Sequence, residues 1–180
     1  MRLLLVAPSN SYRVGAFLEA ARSMGCEVVV ATDRASAIPG SSLCVPFDDP
    51  AVAADGLVER CGVPDAVVGT DGDAVLVAAE VARRLGLPGN PSAAVSAADD
   101  KLWQRRLAAS AGVPQPRFAI VQDDLDWTSF PAVVKPARRS ASQGVIRADN
   151  AAELVDIIGR STRSPPVHRC WWRSTRRGQR

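Results

Sequence analysis

The sequence has one histidine, His168, and no nucleophile paired with it, so it offers little to general-base catalysis by an imidazole. Its four cysteines, Cys26, Cys44, Cys61 and Cys170, show neither CxxC nor zinc-ligand spacing. They are expected as buried, reduced thiols of a cytoplasmic protein. The fingerprint GxGxxG does not follow the first apolar run, which argues against a nicotinamide or flavin enzyme. GxxxxGK[ST], the phosphate loop, occurs nowhere. Long hydrophobic runs are missing too. The opening MRLLLVAP yields to SNSYR, too soon for a signal peptide and far too soon to span a bilayer. The last fourteen residues, VHRCWWRSTRRGQR, contain no acid.

What is there is ordinary for a globular chain. Of 180 residues, 47% are apolar and 23% charged, enough for one domain or one and a half. The net charge of +3 comes from 22 basic against 19 acidic residues. Five of the basic residues and two of the four tryptophans fall in residues 167–180, and without that tail the balance is 17 to 19. The basicity therefore belongs to the tail, and nucleic-acid binding does not follow from it.

The first ninety residues alternate strand and helix. RLLLVA (2–7) is a continuous apolar run, the mark of a strand covered on both faces. VGAFLEAARSMG follows as a helix, with Gly25 placed to end it. EVVVATD (27–33) reads as a second buried strand. Asp49-Pro50 reads as an N-cap with proline at the first helical position, opening a helix to about Cys61. PDAVVGT (64–70) is a further strand. The acidic turn DGD (71–73) is expected to cap a helix through Arg84 that stops at Gly86, and LPGN (87–90) a short extended piece. This order with short connections predicts an α/β fold with a doubly wound parallel sheet.

Such sheets bind ligands at the carboxyl ends of their strands. Those ends offer Ser9, Asn10, Ser11 and Tyr12, then Asp33, then Thr70, Asp71 and Asp73. Each is equally a turn or capping residue, and both readings stand at this point.

Beyond Asn90-Pro91, where a helix is expected to start, AADDKLWQRRLAASAG (97–112) reads as an amphipathic helix with Leu102, Leu107 and Ala111 near one face. VPQPRFAIV (113–121) then turns into a strand. FPAVVKPARRSASQGVIRADN (130–150) reads as a hairpin: PAVV delivers Lys135 at its end, Pro136 interrupts the ladder, and a loop of small and basic residues leads to VIR. Asp149 or Asn150 caps the helix AAELVDIIGR. A lysine at a strand end is a fixed point charge for phosphate oxygens. Ser140, Ala141, Ser142, Gln143 and Gly144 form a loop whose N–H groups and hydroxyls can approach an anion, and Arg138 and Arg139 add positive field. Singly, Lys101 and Lys135 read equally as surface lysines and the loop as a plain hairpin. The order and spacing of the set is what points to a polyphosphate.

That set, LPGNPSAAVSAADDKLWQRRLAASAGVPQPRF followed by FPAVVKP, SASQGV and ADNAAEL, resembles the ATP-grasp superfamily over residues 64 to 160. The preceding βα units, including SYR, look like that family's Rossmann-like pre-ATP-grasp domain. SYR and VVKPARRSASQGVIRADN look most like the carboxylate–amine ligase branch, which includes amino-acid ligases, and less like biotin carboxylase or D-alanine ligase. The resemblance implies transfer of the γ-phosphate of ATP to a carboxylate and attack of an amine on the acyl phosphate. It assigns ATP binding to Lys101, Lys135, Arg138, Ser140, Ser142 and Gly144, with residues 138–144 as a lid, and leaves Ser11, Tyr12, Asp71 and Asp73 as substrate-side candidates. No catalytic residue and no metal ligand is assigned. Mg2+ is expected for the family, whose carboxylate and asparagine ligands lie beyond a strand of the form LVEExxPG. The implied partners are ATP, a small carboxylate and an amine, with no nucleic acid or membrane.

The tail appears where that strand is due. Tryptophan has a single codon, so a reading frame shifted by one base can be worked out on paper. Across Cys170–Trp171–Trp172 the shifted frame necessarily reads Leu, then Val, and the Trp172/Arg173 junction reads Glu or Ala. The remaining junctions permit Glu and then Pro-Gly at the family's spacing. The expectation is a chain out of frame from about residue 167, an N-terminal portion inactive alone, with the later part of the lid subdomain missing. The expected organisation is a pre-ATP-grasp domain at 1–92, a linker helix and partial ATP-grasp domain at 93–166, and the basic tail. Two other classes remain open: a non-catalytic nucleotide- or ligand-binding remnant, and an α/β module whose basic tail binds an acidic partner.

Overall fold

The structure is a computed structural model describing residues 1–35, 38, 41–120, 127–137, 144–161 and 169–173, with backbone alone at 41, 42, 161 and 169–173. The chain divides into two compact units, Met1–Ser96 and Ala97–Arg180.

The first unit is built on a four-stranded parallel sheet. Its strands are β1 (Arg2–Val6), β2 (Glu27–Thr32), β3 (Ser41–Cys44) and β4 (Ala66–Gly69), in the order β3-β2-β1-β4. Because side chains alternate along a strand, β1 feeds two cores. Leu4 and Val6 pack with Ala53, Ala54 and Leu57 of α2 (Pro50–Arg60) and Val77 and Val81 of α3 (Asp73–Leu85). Leu5 and Ala7 pack on the opposite face with Val14 and Leu18 of α1 (Val14–Ser23). Helices on both faces make the sheet doubly wound, as the order of elements implies. Leu4, Leu5, Val6, Leu57, Val77 and Val81 are fully buried. Each such side chain contributes about 1.5–3 kcal/mol.

Local chemistry sets several boundaries where the sequence puts them. Asp49 caps α2, its carboxylate accepting from the N–H groups of Ala51 and Val52 at 2.9 and 3.1 Å, with Pro50 in the first turn. Gly86 ends α3. The acidic turn behaves otherwise. The N-cap of α3 is Gly72, with no side-chain capping bond. Three further differences are physical. β3 adds a parallel edge that SSLC does not announce, and LPGN forms no strand. The helical pattern through 97–112 breaks into α4 (Ser92–Asp99) and α5 (Lys101–Ser110), because Asp100 turns extended and caps α5 through the N–H groups of Leu102 and Trp103. Cys61 is buried as expected, whereas Cys44 is exposed and Cys26 half-buried; all three are free thiols.

The second unit holds a three-stranded antiparallel sheet ordered β6-β5-β7, from β5 (Ala132–Pro136), β6 (Ile146–Ala148) and β7 (Arg169–Arg173). Ala132 and Val134 of β5, with Ala148 of β6, pack against Leu154 and Ile157 of α6 (Ala151–Ser161) and against Trp127. α6 opens on a reciprocal cap: Asn150 Oδ1 accepts from Glu153 N at 3.0 Å, and Glu153 Oε2 accepts from Asp149 N at 2.8 Å. The expected strand over 113–121 does not form; within its described part only Ile120 makes an isolated bridge. Pro136 does not end the ladder either, since β5 pairs through Pro136↔Arg169 with β7, a strand drawn from the tail.

Candidate functional site

In the parallel sheet β1 lies between β2 and β4, so the order in which strands are added reverses at β1, with β2 and β3 to one side and β4 to the other. The turns leaving β1 and β4 meet there. Ser11 Oγ donates to Asp71 Oδ2 at 2.7 Å, joining two of the substrate-side candidates. Tyr12, the third, points outward and is 85% exposed, with the Arg13 guanidinium 5.5 Å from its ring centroid. Asp73 sits in the first turn of α3. Thr70 is buried, and its hydroxyl has no hydrogen-bond partner among the described residues.

For Ser9 and Asp33 the turn reading describes the geometry: Ser9 N–H donates to Asp33 Oδ1 at 2.6 Å. Burial alone would raise the Asp33 carboxyl, but the Ser9 hydrogen bonds and Arg34 outweigh it and hold the group below the usual carboxylate range.

The second cluster lies on the β5–β6 hairpin. Strand alternation puts Val133 and Lys135 on the face opposite the one packed on α6, and the register sets Arg147 across from Val133 on that same face. Arg147 was not singled out in the sequence; its guanidinium bonds Asp149 at 2.6 Å. Two residues beyond Lys135, the carbonyl of Ala137 accepts two bonds from one residue. Lys101 N–H donates at 3.0 Å and Lys101 Nζ at 3.1 Å. The first turn of α5 is thereby tied to the root of the hairpin loop. At the far end of the loop stands Gly144 with φ +70°, and an added Cβ there would lie 3.0 Å from Pro136 Cγ. Lys101, Lys135 and Gly144 thus gather around Pro136 and Ala137. Arg138, Ser140 and Ser142, with Arg139, Ala141 and Gln143, lie outside the described residues, as does His168. Ala137 had no signal in the sequence, because a main-chain oxygen carries no side-chain identity.

Known proteins give this arrangement a context. No family model matches the sequence. The D-alanine–D-alanine ligase of Pseudomonas fluorescens (strain Pf0-1) is 34% identical over 79 residues, which are 39% of this chain and 24% of the ligase. That of Listeria monocytogenes is 35% identical over 84 residues, 39% and 22% of the two chains. An L-amino acid ligase from Bacillus licheniformis superimposes with a TM-score of 0.71 at 26% identity, over 96% of this chain and 44% of the ligase. Sequence and fold together support the ATP-grasp superfamily. D-alanine–D-alanine ligase from Bacillus anthracis, a structure complexed with ATP, superimposes at TM-score 0.65 and 16% identity over 99% of this chain and 60% of the ligase. The sequence matches fall on D-alanine–D-alanine ligases, whereas among the superimposed structures the L-amino acid ligase has the higher identity, 26% against 16%. The chain spans less than half the length of the L-amino acid ligase it superimposes on.

Proposed function

We propose that this chain is the N-terminal, nucleotide-binding side of an ATP-dependent carboxylate–amine ligase. The observation that supports this best is the meeting of Lys101 with Ala137, which sets two lysines and Gly144 around one hairpin root. In the reaction proposed, a carboxylate takes the γ-phosphoryl group and ADP departs; the amine then attacks the acyl carbon and phosphate leaves. Such chemistry asks the protein mainly for positioning and charge neutralisation. Lys135 supplies a fixed cation for phosphate oxygens and Lys101 a second one, while Arg138, Ser140, Ser142 and Gly144 belong to the lid of the proposal. Ser11, Tyr12, Asp71 and Asp73 are proposed for the substrate side. Amino acids are the substrates to try first, given the D-alanine–D-alanine and L-amino acid ligases among the relatives. Among the described residues no three His, Cys, Asp or Glu side chains come together to hold a metal. Among them, too, no helix is long and apolar enough to cross a membrane. A cytoplasmic setting is part of the proposal.

Calorimetric titration with ATP tests this reading. Wild-type chain is expected to bind, and Lys135→Ala to weaken binding at least about ten-fold, the worth of a charge-assisted hydrogen bond. Absence of any ATP binding by the wild type would overturn it. A second reading is binding without catalysis. It is the better account if ATP binds but amino acids elicit no ADP. The out-of-frame origin of residues 167–180 is part of the same proposal. Resequencing the coding DNA from codon 160 onward decides it, by whether the shifted frame continues as Leu-Val-Glu-Glu and on to Pro-Gly.

A further inference from the structure

We infer that Lys101 is a positioning residue for the β5–β6 hairpin: in the nucleotide-free chain its ammonium holds the carbonyl of Ala137 and so fixes the strand end that carries Lys135. The geometry is specific. Ala137 is 1% exposed, so its carbonyl has little water to turn to and needs a protein donor. It receives both the N–H and the Nζ of the same residue, at 3.0 and 3.1 Å, from the first position of α5. That position is itself fixed. Asp100 caps α5 through Leu102 and Trp103, and Gln104 N–H donates to the Asp100 carbonyl at 2.9 Å. The hold therefore runs from a capped helix start, through one side chain, to the residue directly after β5.

A surface lysine with four flexible carbons loses considerable rotamer freedom when it is pinned to a neutral carbonyl. The same carbonyl already has the main-chain bond, so the ammonium supplies a second restraint on the strand end, and a charged one. The consequence for Lys135 is direct. A β-strand transmits the position of its end over two residues, so fixing Ala137 fixes the height and direction at which Lys135 leaves the sheet. This goes beyond a direct phosphate contact by Lys101, and it rests on the proposed function only for its purpose.

Hydrogen exchange read by mass spectrometry on the nucleotide-free chain tests it. Lys101→Met is expected to speed exchange on the order of ten-fold in peptides covering 101–104 and 132–137, with peptides from α6 and β1 unchanged. Lys101→Arg, which keeps a cationic donor, is expected to restore at least part of the protection. Unchanged exchange in Lys101→Met overturns the inference. Faster exchange throughout the chain also overturns it, since that is loss of fold rather than of position, and so does an Arg variant no better than Met. None of these readouts involves ATP, so their failure is separable from failure of the ligase reading.

Discussion

Gly69, the last residue of β4, and Thr70, just after it, are under opposite constraints. At Gly69 the sheet and α3 approach so closely that a Cβ would lie 2.6 Å from both Ala74 O and Val75 Cα. Both are backbone atoms, which cannot rotate away. Gly69→Ala is therefore expected to destabilise the first unit by about 1–3 kcal/mol in urea unfolding, the usual scale for overpacking. Thr70 has the reverse problem, a buried hydroxyl without a partner among the described residues. Replacing an orphaned polar group with an apolar one of the same shape removes a desolvation cost. Thr70→Val should leave stability unchanged or raise it in the same experiment, and a clear loss would mean that the hydroxyl is satisfied in solution.

At the scale of elements, α2 and α3 are joined by charge as well as by their shared core. Arg84 bonds Asp55 and the Ala51 carbonyl on α2 and Glu80 on its own helix. The Ser92 hydroxyl, close by but short of hydrogen-bond geometry, favours ionised Glu80; Arg83 and Arg84 add to this against the cost of burial. Together they bring its pKa from 4.5 down to about 2. A carboxyl with a lowered folded-state pKa contributes stability that is complete above about pH 4.5 and disappears as the pH falls toward 2. Glu80→Gln is expected to flatten this acid limb of the stability profile, followed by circular dichroism against pH.

The sequence made α2 readable because Asp49-Pro50 does in isolation what it does in the fold. It could not show β3, whose four residues lack both apolar alternation and a long run and pair through a register shift at Val30/Ala31. Apolar periodicity ran straight through Asp100, since an acid inside a helix and an acid capping one leave the same pattern of hydrophobic positions. In the hairpin, Lys101, Lys135 and Gly144 were legible by type and order. Their meeting at Ala137 was not, and neither was the Ser11–Asp71 bond, which joins turns 60 residues apart.

On the scale of the whole molecule, the first unit carries two cores of its own, one on each face of the sheet, with buried residues drawn from all three of its long helices. Residues 1–96 expressed alone are expected to unfold in a single cooperative transition on heating; a gradual loss of ellipticity would count against this. The parallel order β3-β2-β1-β4 also has a bearing on synthesis. The strand made first is an inner one, and the bond from Arg2 N–H to Asp65 spans 63 positions. As the chain leaves the ribosome, one side of β1 therefore stays bare until nearly the whole unit has emerged. During that interval an exposed run of Leu and Val awaits a neighbour, and translation speed across codons 27 to 69 sets how long a chaperone must shield it.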